Sequence, residues 1–600
     1  MAEYASDPDN ISENIGRNEE EDQFSPDDEL LTIKKKFIYY FCFHWRGLIC
    51  TFLPIILIPI QLSFPPKGYE MCAYTLELMA IFWVTECIPL AVTSFLPVVI
   101  FPLTGIMSTA ETCACYMNDS IMMFLASMWL AYAIEQSGLH IRLAHHVIRC
   151  VGYSHYKLLF SMSFTTMFVS IWITNTAATT MMVPINFAIL KVFEDQNLLQ
   201  IYDEGSHGEK VASDIATCYF CAATLSASIG GIGSLVGTAT NLVFKELFTR
   251  LYPDAPEYLS FPKFSAFTIP FMVIMELFCY LYLIIVYFGY LRPKSKAARN
   301  AEITESGMEA AKQAVEEKIK EIGSVTTWEI FVLILFTGAI LLFFSRSPQI
   351  FVGWGDAISN YFGIEDVKFV RDSAAAIFVV FLMLLIPSSL KFYDNFRAKA
   401  SKCPIFGEYC ELKRNVLPTY DDVVKHYEWT RHIMKTSKKE PRFSEIADKI
   451  VPEIESGGFA LSKAAKSDYT DLNGKIGNIL KNFKYLPNPL VLLLIIIVTV
   501  FITNFASNVA VCNVIVPIAM QLAREINRSP LWYNLAAGLS SSYAFCVPVG
   551  TPGNLIVQGA ANIPSSKMIK AGIGVTFSSI FVTWLAVCFW APIIWPDLST

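Results

Sequence analysis

Apolar residues are grouped in long runs, separated by shorter polar segments, from about residue 47 to residue 595. A helix of about 20 mainly apolar residues crosses a bilayer core about 30 Å thick, so each such run predicts one membrane span. Single spans are predicted at 47–64, 71–90, 91–108, 120–136, 265–291, 328–345, 374–390 and 570–595. Four further apolar stretches are too long or too interrupted for one straight crossing, namely 158–195, 211–250, 488–523 and 533–560. The pattern predicts an all-α, multi-span membrane protein.

The composition agrees with this class and excludes several others. Apolar residues make up 54% and charged residues 16% of the 600 residues, and the mean hydropathy is +0.44, whereas ordinary soluble chains are about 25% charged. The formal net charge of −7 reflects acidic residues concentrated near the N-terminus. Residues 1–36 are therefore predicted to form a disordered acidic tail. The rest of the chain is nearly neutral, and no nucleic-acid partner is expected.

The distribution of basic residues among the loops predicts the orientation. Segments 292–327 and 391–450 are rich in Lys and Arg, whereas 346–373 contains few. Cytosolic loops carry the excess of Lys and Arg in membrane proteins. The first two segments are therefore predicted to be cytosolic and the third extracellular. This places the N-terminus in the cytosol and the C-terminus outside.

Two polar interruptions of the apolar stretches occur twice in the chain. Residues 172–177 read WITNTA and residues 505–510 read FASNVA, and the same spacing leads from each to a Val-Pro-Ile at Pro184 or Pro517. A second pair, GTATNL at 237–242 and GTPGNL at 550–555, has the form Gly-Thr-x-x-Asn. One such motif alone could be a kinked helix whose polar side chains bond to a neighbouring helix. Matched interruptions in corresponding halves instead indicate a transporter site built by inverted repeats.

The residue types around these interruptions indicate the charge of the ligand. No Asp, Glu, Lys, Arg or His occurs within 158–190, 229–243 or 541–558. A break in a helix at membrane depth exposes free N–H groups and the positive dipole end of a half-helix, both of which attract anions. A site for an organic cation would be expected to contain a carboxylate. The pattern therefore predicts an anion site, and main-chain carbonyls at the same breaks could coordinate a small cation such as Na⁺.

These motifs resemble those of the divalent anion/sodium symporter family of di- and tricarboxylate transporters, from about Phe41 to the C-terminus. Residues 79–86, MAIFWVTE, are part of the resemblance, and the chain looks most like the insect "I'm Not Dead Yet" group of that family. The resemblance implies about 11 transmembrane helices plus two re-entrant hairpins, at 158–195 from the cytosol and at 488–523 from outside. It also implies inverted repeats, membrane lipid and a second copy of the chain (a homodimer) as partners, and an elevator-type mechanism.

The resemblance also implies a division of the chain and a set of site residues. The expected parts are scaffold helices at 37–136, a first transport half at 137–250, scaffold helices with cytosolic loops at 251–464 and a second transport half at 465–600. Substrate contacts carried over from the family fall on Asn175, Thr176, Asn508, Val509, Thr551 and Pro552. A first sodium site falls on Ser170, Asn175 and Gly237, and a second on Thr503, Ala506, Asn508 and Gly550. No other cofactor and no catalytic residue are expected.

The chain departs from the family pattern at several positions. Thr174 replaces a Ser and keeps its hydroxyl, whereas Val509 replaces a Thr and removes one possible carboxylate donor. Ala239-Thr240 and Gly553 replace prolines or glycines of the breaks, which leaves the cation geometry open. Residues 451–478 hold no run long and apolar enough for the crossing that the repeat requires. Either a short helix buried in protein crosses there, or the chain is an impaired relative.

The main hypothesis is a secondary active transporter of citrate, succinate, malate and related anions across the plasma membrane. Transport would be either sodium-coupled or a sodium-independent exchange. The alternative is a non-transporting family member that acts as a membrane sensor or partner-binding protein. A membrane-embedded enzyme is disfavoured, because no carboxylate pair, Ser/His pair or metal-ligand cluster lies at membrane depth.

Overall fold

The computed structural model describes residues 45–58, 68–85, 87–88, 90–196, 199–204, 210–292, 294, 305–348, 350–364, 369–385, 459–465, 469–470, 472 and 485–596. The predicted tail 1–36, the loop 391–450 and the first part of the weak stretch, 451–458, lie outside the described residues. The chain divides into two units, Met1–Ile56 and Leu57–Thr600. The first helix, α1, is Trp45–Ile58.

The described residues in the first half of the second unit are mainly helical and include one short β-hairpin. Its helices are α2 (Gly68–Thr85), α3 (Leu90–Ser94), α4 (Leu96–Leu103), α5 (Thr109–Cys113), α6 (Asp119–Ser137), α7 (Leu139–Val151), α8 (His155–Ser170), α9 (Asn175–Asp195), α10 (Asp214–Gly230) and α11 (Ala239–Leu251). Strands β1 (Tyr202–Glu204) and β2 (Lys210–Ala212) pair antiparallel. The predicted span 91–108 is divided into α3 and α4, with Pro97 in the first turn of α4, a position where its missing N–H costs nothing.

The described part of the second half is also helical. Its helices are α12 (Phe261–Tyr287), α13 (Glu305–Ile322), α14 (Thr327–Ser345), α15 (Trp354–Tyr361), α16 (Asp372–Leu385), α17 (Asn488–Thr503), α18 (Asn508–Glu525), α19 (Pro530–Ser540), α20 (Pro552–Ala561), α21 (Ser565–Leu585) and α22 (Ala591–Ile594). Among the described residues, α9, α12, α14, and the segments Asp214–Gly233 and Ser565–Ile594 are long and apolar enough to cross a membrane. The expectation of an all-α, multi-span membrane protein is confirmed.

The four interrupted stretches have the shapes that the repeat predicts. Helices α8 and α9 form a first hairpin with its tip at 171–174, and α17 and α18 form a second hairpin with its tip at 504–507. Helices α10 and α11 are separated by a first break at 231–238, and α19 and α20 by a second break at 541–551. Each half therefore contains one hairpin followed by one broken helix.

The helices pack in two groups. Helix α6 packs against α14 and α16, which also pack on each other. The hairpins and broken helices form the other group, in which α10 contacts α8 and α9, and α18 contacts α19. Helix α12 lies mainly against α8, α10 and α21 of this second group. Helix α7 is amphipathic, and it packs against α8 and α13.

Part of the weak stretch at 451–478 is described. Residues 459–464 are helical, and Phe459, Ala460 and Ala464 are fully buried. The Arg250 guanidinium lies 4.9 Å from the centre of the Phe459 ring. The described turn is therefore enclosed by protein, as the first of the two alternatives for this stretch expects.

Candidate functional site

Each hairpin tip ends where an asparagine begins a helix. In the first tip the Thr174 hydroxyl accepts a hydrogen bond from the Ala177 N–H and caps α9, whose first residue is Asn175. A hydroxyl at this position stabilises the free amino end of a helix, and Thr174 supplies it here. In the second tip Ser507 precedes Asn508, the first residue of α18, and makes no capping hydrogen bond with its side chain.

A first group of oxygens lies where the first hairpin meets the first break. Ser170 Oγ is 3.0 Å from Asn175 Oδ1 and 2.7 Å from the carbonyl oxygen of Ala227. The hydroxyl has one proton for these two acceptors. The three oxygens, here called the first cluster, therefore have one more acceptor than they have protons.

Gly237 brings further carbonyls to the first cluster. A Cβ atom on Gly237 would lie 2.5 Å from the Gly231 carbonyl oxygen and 2.9 Å and 3.0 Å from those of Ile171 and Ser170. On Gly231, a Cβ atom would lie only 2.2 Å from Asn175 Oδ1. Only glycine permits these approaches. The sequence-predicted residues Ser170, Asn175 and Gly237 are therefore brought together.

A second group of oxygens has the same arrangement in the other half. Thr503 Oγ1 is 2.8 Å from Asn508 Oδ1 and 2.5 Å from the Ser541 carbonyl oxygen. A Cβ atom on Gly550 would lie 3.1 Å and 3.5 Å from the carbonyl oxygens of Asn504 and Thr503. These residues, here called the second cluster, unite the predicted Thr503, Asn508 and Gly550. The predicted Ala506 is buried in the tip between them.

The asparagine of each Gly-Thr-x-x-Asn motif holds the loop of its own break. Asn241 Nδ2 donates to the carbonyls of Gly231 (3.0 Å) and Ser234 (2.7 Å). Its counterpart Asn554 Nδ2 donates to those of Ala544 (2.9 Å) and Val547 (3.0 Å). Both side chains are buried, and each therefore fixes the direction of the non-helical carbonyls.

The hairpins and the breaks also pair crosswise between the halves. A Cβ atom on Gly553, the second residue of α20, would lie 3.1 Å from Thr179 Oγ1, one turn into α9. In the other half, Cys512 Sγ, one turn into α18, is 3.8 Å from the carbonyl oxygen of Thr240, the second residue of α11. The first cluster joins the amino ends of α9 and α11, and the second cluster joins those of α18 and α20. The amino ends of α9, α11, α18 and α20 are thus linked in a ring.

The predicted substrate residues lie at this ring with different exposure. Asn175, Thr176, Asn508 and Val509 are half-buried, Thr551 is 7% exposed, and Pro552 is exposed. The Thr551 hydroxyl accepts from the Asn554 N–H and caps α20. Its own proton is therefore available to a ligand.

The ring contains oxygens and amide groups but no charged side chain. Among the described residues, no group of three or more His, Cys, Asp or Glu side chains could hold a metal ion. The clusters instead offer hydroxyl, amide and main-chain oxygens, which are the ligands of hard cations. Such neutral sites suit a weakly held monovalent cation rather than a tightly bound divalent ion.

Sequence reasoning missed several residues of this region. The carbonyls of Ala227 and Ser541 complete the clusters, but a main-chain carbonyl has no residue-specific signal. Asn241 and Asn554 were seen in the motif without a role. Thr238 occupies the position of Thr551 in the other repeat, and that correspondence could have marked it.

Comparisons with known proteins agree with the resemblance. A sequence model described as "Sodium:sulfate symporter transmembrane region" matches residues 42–431 and 457–596. Protein I'm not dead yet of Drosophila melanogaster is 34% identical over 582 residues, which cover 94% of this chain and 91% of that protein. The Na(+)/citrate cotransporter of Mus musculus is 29% identical over 578 residues, covering 90% and 94% of the two chains.

Two further matches extend the comparison. The Na(+)/dicarboxylate cotransporter 3 of Rattus norvegicus is 28% identical over 593 residues, covering 91% of this chain and 92% of that protein. A solved structure, that of the Alcanivorax borkumensis YdaH transporter, has a TM-score of 0.48 at 15% identity, covering 83% of this chain and 89% of that chain.

Proposed function

The chain belongs to the sodium:sulfate symporter family of membrane transporters, which are not enzymes, and we propose that it transports di- and tricarboxylates such as citrate, succinate and malate. Relatives that cover 90% and 91% of the chain are named for citrate and dicarboxylate cotransport. The observation that carries the proposal is the ring of four helix amino ends, to which each half contributes one hairpin and one break.

The ring supports an anionic substrate for electrostatic reasons. Each helix amino end presents unpaired N–H groups and the positive end of a dipole, and four such ends surround one region. Asn175, Thr176, Asn508 and Thr551 add neutral donors, while Pro552 and Val509 contribute apolar surface. No carboxylate lies within 158–190, 229–243 or 541–558, where it would repel a multiply charged anion.

The two clusters support sodium as the coupling ion. Each cluster holds more oxygen acceptors than protons, and a cation would satisfy the surplus oxygens. In this proposal Asn175 and Asn508 each use the amide oxygen for a cation, which leaves the amide N–H groups free to donate to a carboxylate. Cation and anion binding would then stabilise one another.

We include an elevator movement at the plasma membrane in the proposal. The hairpins, the broken helices and α12 form one packed group, and α6, α14 and α16 form the other. The first group would move as a body past the second, which would provide the homodimer contact. The proposal has these basic segments, 292–327 and 391–450, and the N-terminus in the cytosol and the C-terminus outside, which the excess of Lys and Arg supports.

The function is tested by uptake of labelled citrate and succinate into proteoliposomes, with and without a sodium gradient and with and without internal dicarboxylate. We expect the sodium gradient to stimulate uptake by the unmodified protein. Asn508→Ala should reduce uptake to below about a tenth, because a donor to a charged group is worth more than a neutral one.

The matched control is Asn360→Ala on α15, since Asn360 is exposed and lies outside the ring. This variant should transport at the unmodified rate. Unreduced uptake by Asn508→Ala at equal protein incorporation would contradict the proposed anion site. A requirement for internal dicarboxylate without any effect of sodium would replace symport by exchange.

A further inference from the structure

Two buried side-chain hydrogen bonds cross between the halves beside the clusters. Thr240 Oγ1 and Ser542 Oγ lie 2.6 Å apart, and both residues are fully buried. Thr224 Oγ1 donates to Asn554 Oδ1 over 2.8 Å, also in a buried setting. These contacts, here called the first and second bridges, are independent of the hairpin tips.

The first bridge joins a residue next to the second cluster to a residue next to the asparagine that holds the first break. The wall of a cluster here means the helix end that supplies its carbonyl oxygen, Ser541 in the second cluster and Ala227 in the first. Ser542 directly follows Ser541, whose carbonyl oxygen belongs to the second cluster. Thr240 directly precedes Asn241, whose amide holds the carbonyls of Gly231 and Ser234. A shift of the Ser541–Ser542 peptide would therefore be transmitted to the first break, the loop that contains Gly237.

The second bridge connects the same parts in the opposite direction. Thr224 lies one helical turn before Ala227, whose carbonyl oxygen belongs to the first cluster. Its partner Asn554 holds the carbonyls of Ala544 and Val547 in the second break. Each bridge thus joins a wall of one cluster to the loop of the other.

We propose that the two bridges couple the cation clusters, so that a cation in one cluster raises the affinity of the other. This inference rests on the proposed sodium binding and adds to it the positioning residues Thr224, Thr240 and Ser542. None of the three contacts the cation with its side chain. They act by fixing the walls and loops that supply the carbonyl ligands.

The coupling follows from the cost of ordering the loops. A cation in the second cluster fixes the Ser541 carbonyl, and the first bridge then fixes Thr240 and the loop held by Asn241. The first cluster subsequently binds a cation without that ordering cost, which is positive cooperativity without a large structural change. By linkage, a cation in the first cluster assists the second equally.

The test is a sodium titration of the purified full-length protein, with choline replacing sodium at constant ionic strength, read out as the saturating change in tryptophan fluorescence and, separately, as thermal stability. The unmodified protein should give a Hill coefficient clearly above 1. Thr240→Val and Ser542→Ala should each lower it towards 1 and raise the half-saturating sodium concentration about 3-fold to 10-fold, the equivalent of one hydrogen bond. The double variant should be no worse than either single variant.

Two further variants separate coupling from simple damage. Thr166→Val is the control, because Thr166 is fully buried but its hydroxyl bonds only the Met162 carbonyl of its own helix. It should leave the Hill coefficient unchanged even if it lowers the melting temperature without sodium. Thr240→Ser keeps the hydroxyl and should keep the cooperativity.

Three results would overturn the inference. The first is a Hill coefficient of 1 in the unmodified protein, and the second is an unchanged coefficient in both Thr240→Val and Ser542→Ala. The third is the absence of any stabilisation by sodium, which would also remove the sodium part of the proposed function. In that case citrate uptake would still report separately on the anion site.

Discussion

The approach of one amide oxygen to one glycine determines the shape of the first cluster. Asn175 Oδ1 occupies the space that a side chain on Gly231 would need. The same amide oxygen also lies 3.0 Å from Ser170 Oγ. Because the site has no charged ligand, its affinity depends on several neutral oxygens being at the correct distance at once.

Gly231→Ala is expected to disable the first cluster. The new Cβ atom would lie 2.2 Å from Asn175 Oδ1 and would displace the amide. We expect citrate uptake at physiological sodium to fall at least about tenfold, because the displaced amide is a proposed ligand of both ions. Uptake measured over a range of sodium concentrations, at matched surface expression, checks the expectation.

The control is Gly559→Ala in α20, where nothing lies within 4 Å of the added atom. Alanine is the better helix former at such a position by about 1 kcal/mol, so this variant should fold and transport normally. If both variants transported equally well, the close approach at Gly231 would have no functional importance.

The sequence predicted the side chains of the site better than its main chain. Asn175 and Asn508 are identifiable because the tip motif occurs twice, and Gly237 and Gly550 because the break does. The Ala227 and Ser541 carbonyls are supplied by residues whose side chains are irrelevant to the role. Their position depends on how α10 and α19 end, which the hydrophobic pattern does not determine.

Helix α11 carries an ion-pair network to the group formed by α6, α14 and α16. Lys245 of α11 lies 3.0 Å from Asp372 at the start of α16 and 3.8 Å from Glu257. Both carboxylates also pair with Arg346, directly after α14. Burial alone would lower the pKa of the Arg346 guanidinium, but Asp372 and Glu257 raise it. The cation is therefore retained.

A second contact on α11 reaches α6. Glu246 Oε2 accepts from the Ser120 hydroxyl over 2.8 Å, and its other oxygen pairs with Arg250. The charged residues of this network line one small cavity, whose wall is completed by Tyr252 and Tyr258. If α11 moves relative to α6 and α16, these contacts must break in each transport cycle.

Asp372→Asn is expected to destabilise the arrangement in which α11 is paired with α14 and α16. The substitution leaves Lys245 and Arg346 buried with one carboxylate fewer, which costs about 3 kcal/mol for a buried pair. A lower melting temperature and a changed maximal uptake rate should result. Lys245→Met combined with Asp372→Asn should cost less than the sum of the single changes, because the partners are lost together.

Strictly additive effects in that cycle would contradict a direct Lys245–Asp372 interaction. An unchanged uptake rate in all three variants would mean that breaking the network does not limit the movement. The Lys191–Asp195 pair on α9 provides the comparison, since it is well exposed. Lys191→Met should change neither stability nor uptake measurably.

Helix extents followed from the sequence where the apolar run was uninterrupted. The span predicted at 328–345 is α14, which begins after a Thr326–Glu329 capping box. Helix α13 is rich in charged residues, but its Val315 is buried, and the helix packs against α7 and α9. Val315, Ile319 and Ile322 are widely spaced on a helix dominated by charged residues, and this pattern gave too weak a signal for that packing.

The assembly of the two halves explains why a chargeless site can form at membrane depth. Each hairpin lies against the broken helix of its own half through a cluster and against that of the other half through Thr179–Gly553 or Cys512–Thr240. Irregular backbone in these breaks is thereby enclosed by protein. Neither half alone would complete the ring.

The repeat in the sequence predicted the two hairpins and the two breaks but not their crosswise pairing. The motif spacing fixes which residues correspond, whereas the pairing depends on contacts between residues at least 272 positions apart. Such contacts are set by the packing of all the helices, including α12. The sequence therefore indicated the parts of the site, and the structure was needed for their arrangement.

Equilibrium binding of labelled citrate to the purified protein in sodium tests most directly that both tips build one site. The account predicts one citrate site per chain. Asn175→Ala and Asn508→Ala should each weaken binding at least about tenfold, as for a lost donor to a charged group. A folded variant of either asparagine that binds citrate with unmodified affinity would contradict the claim that both tips build one site.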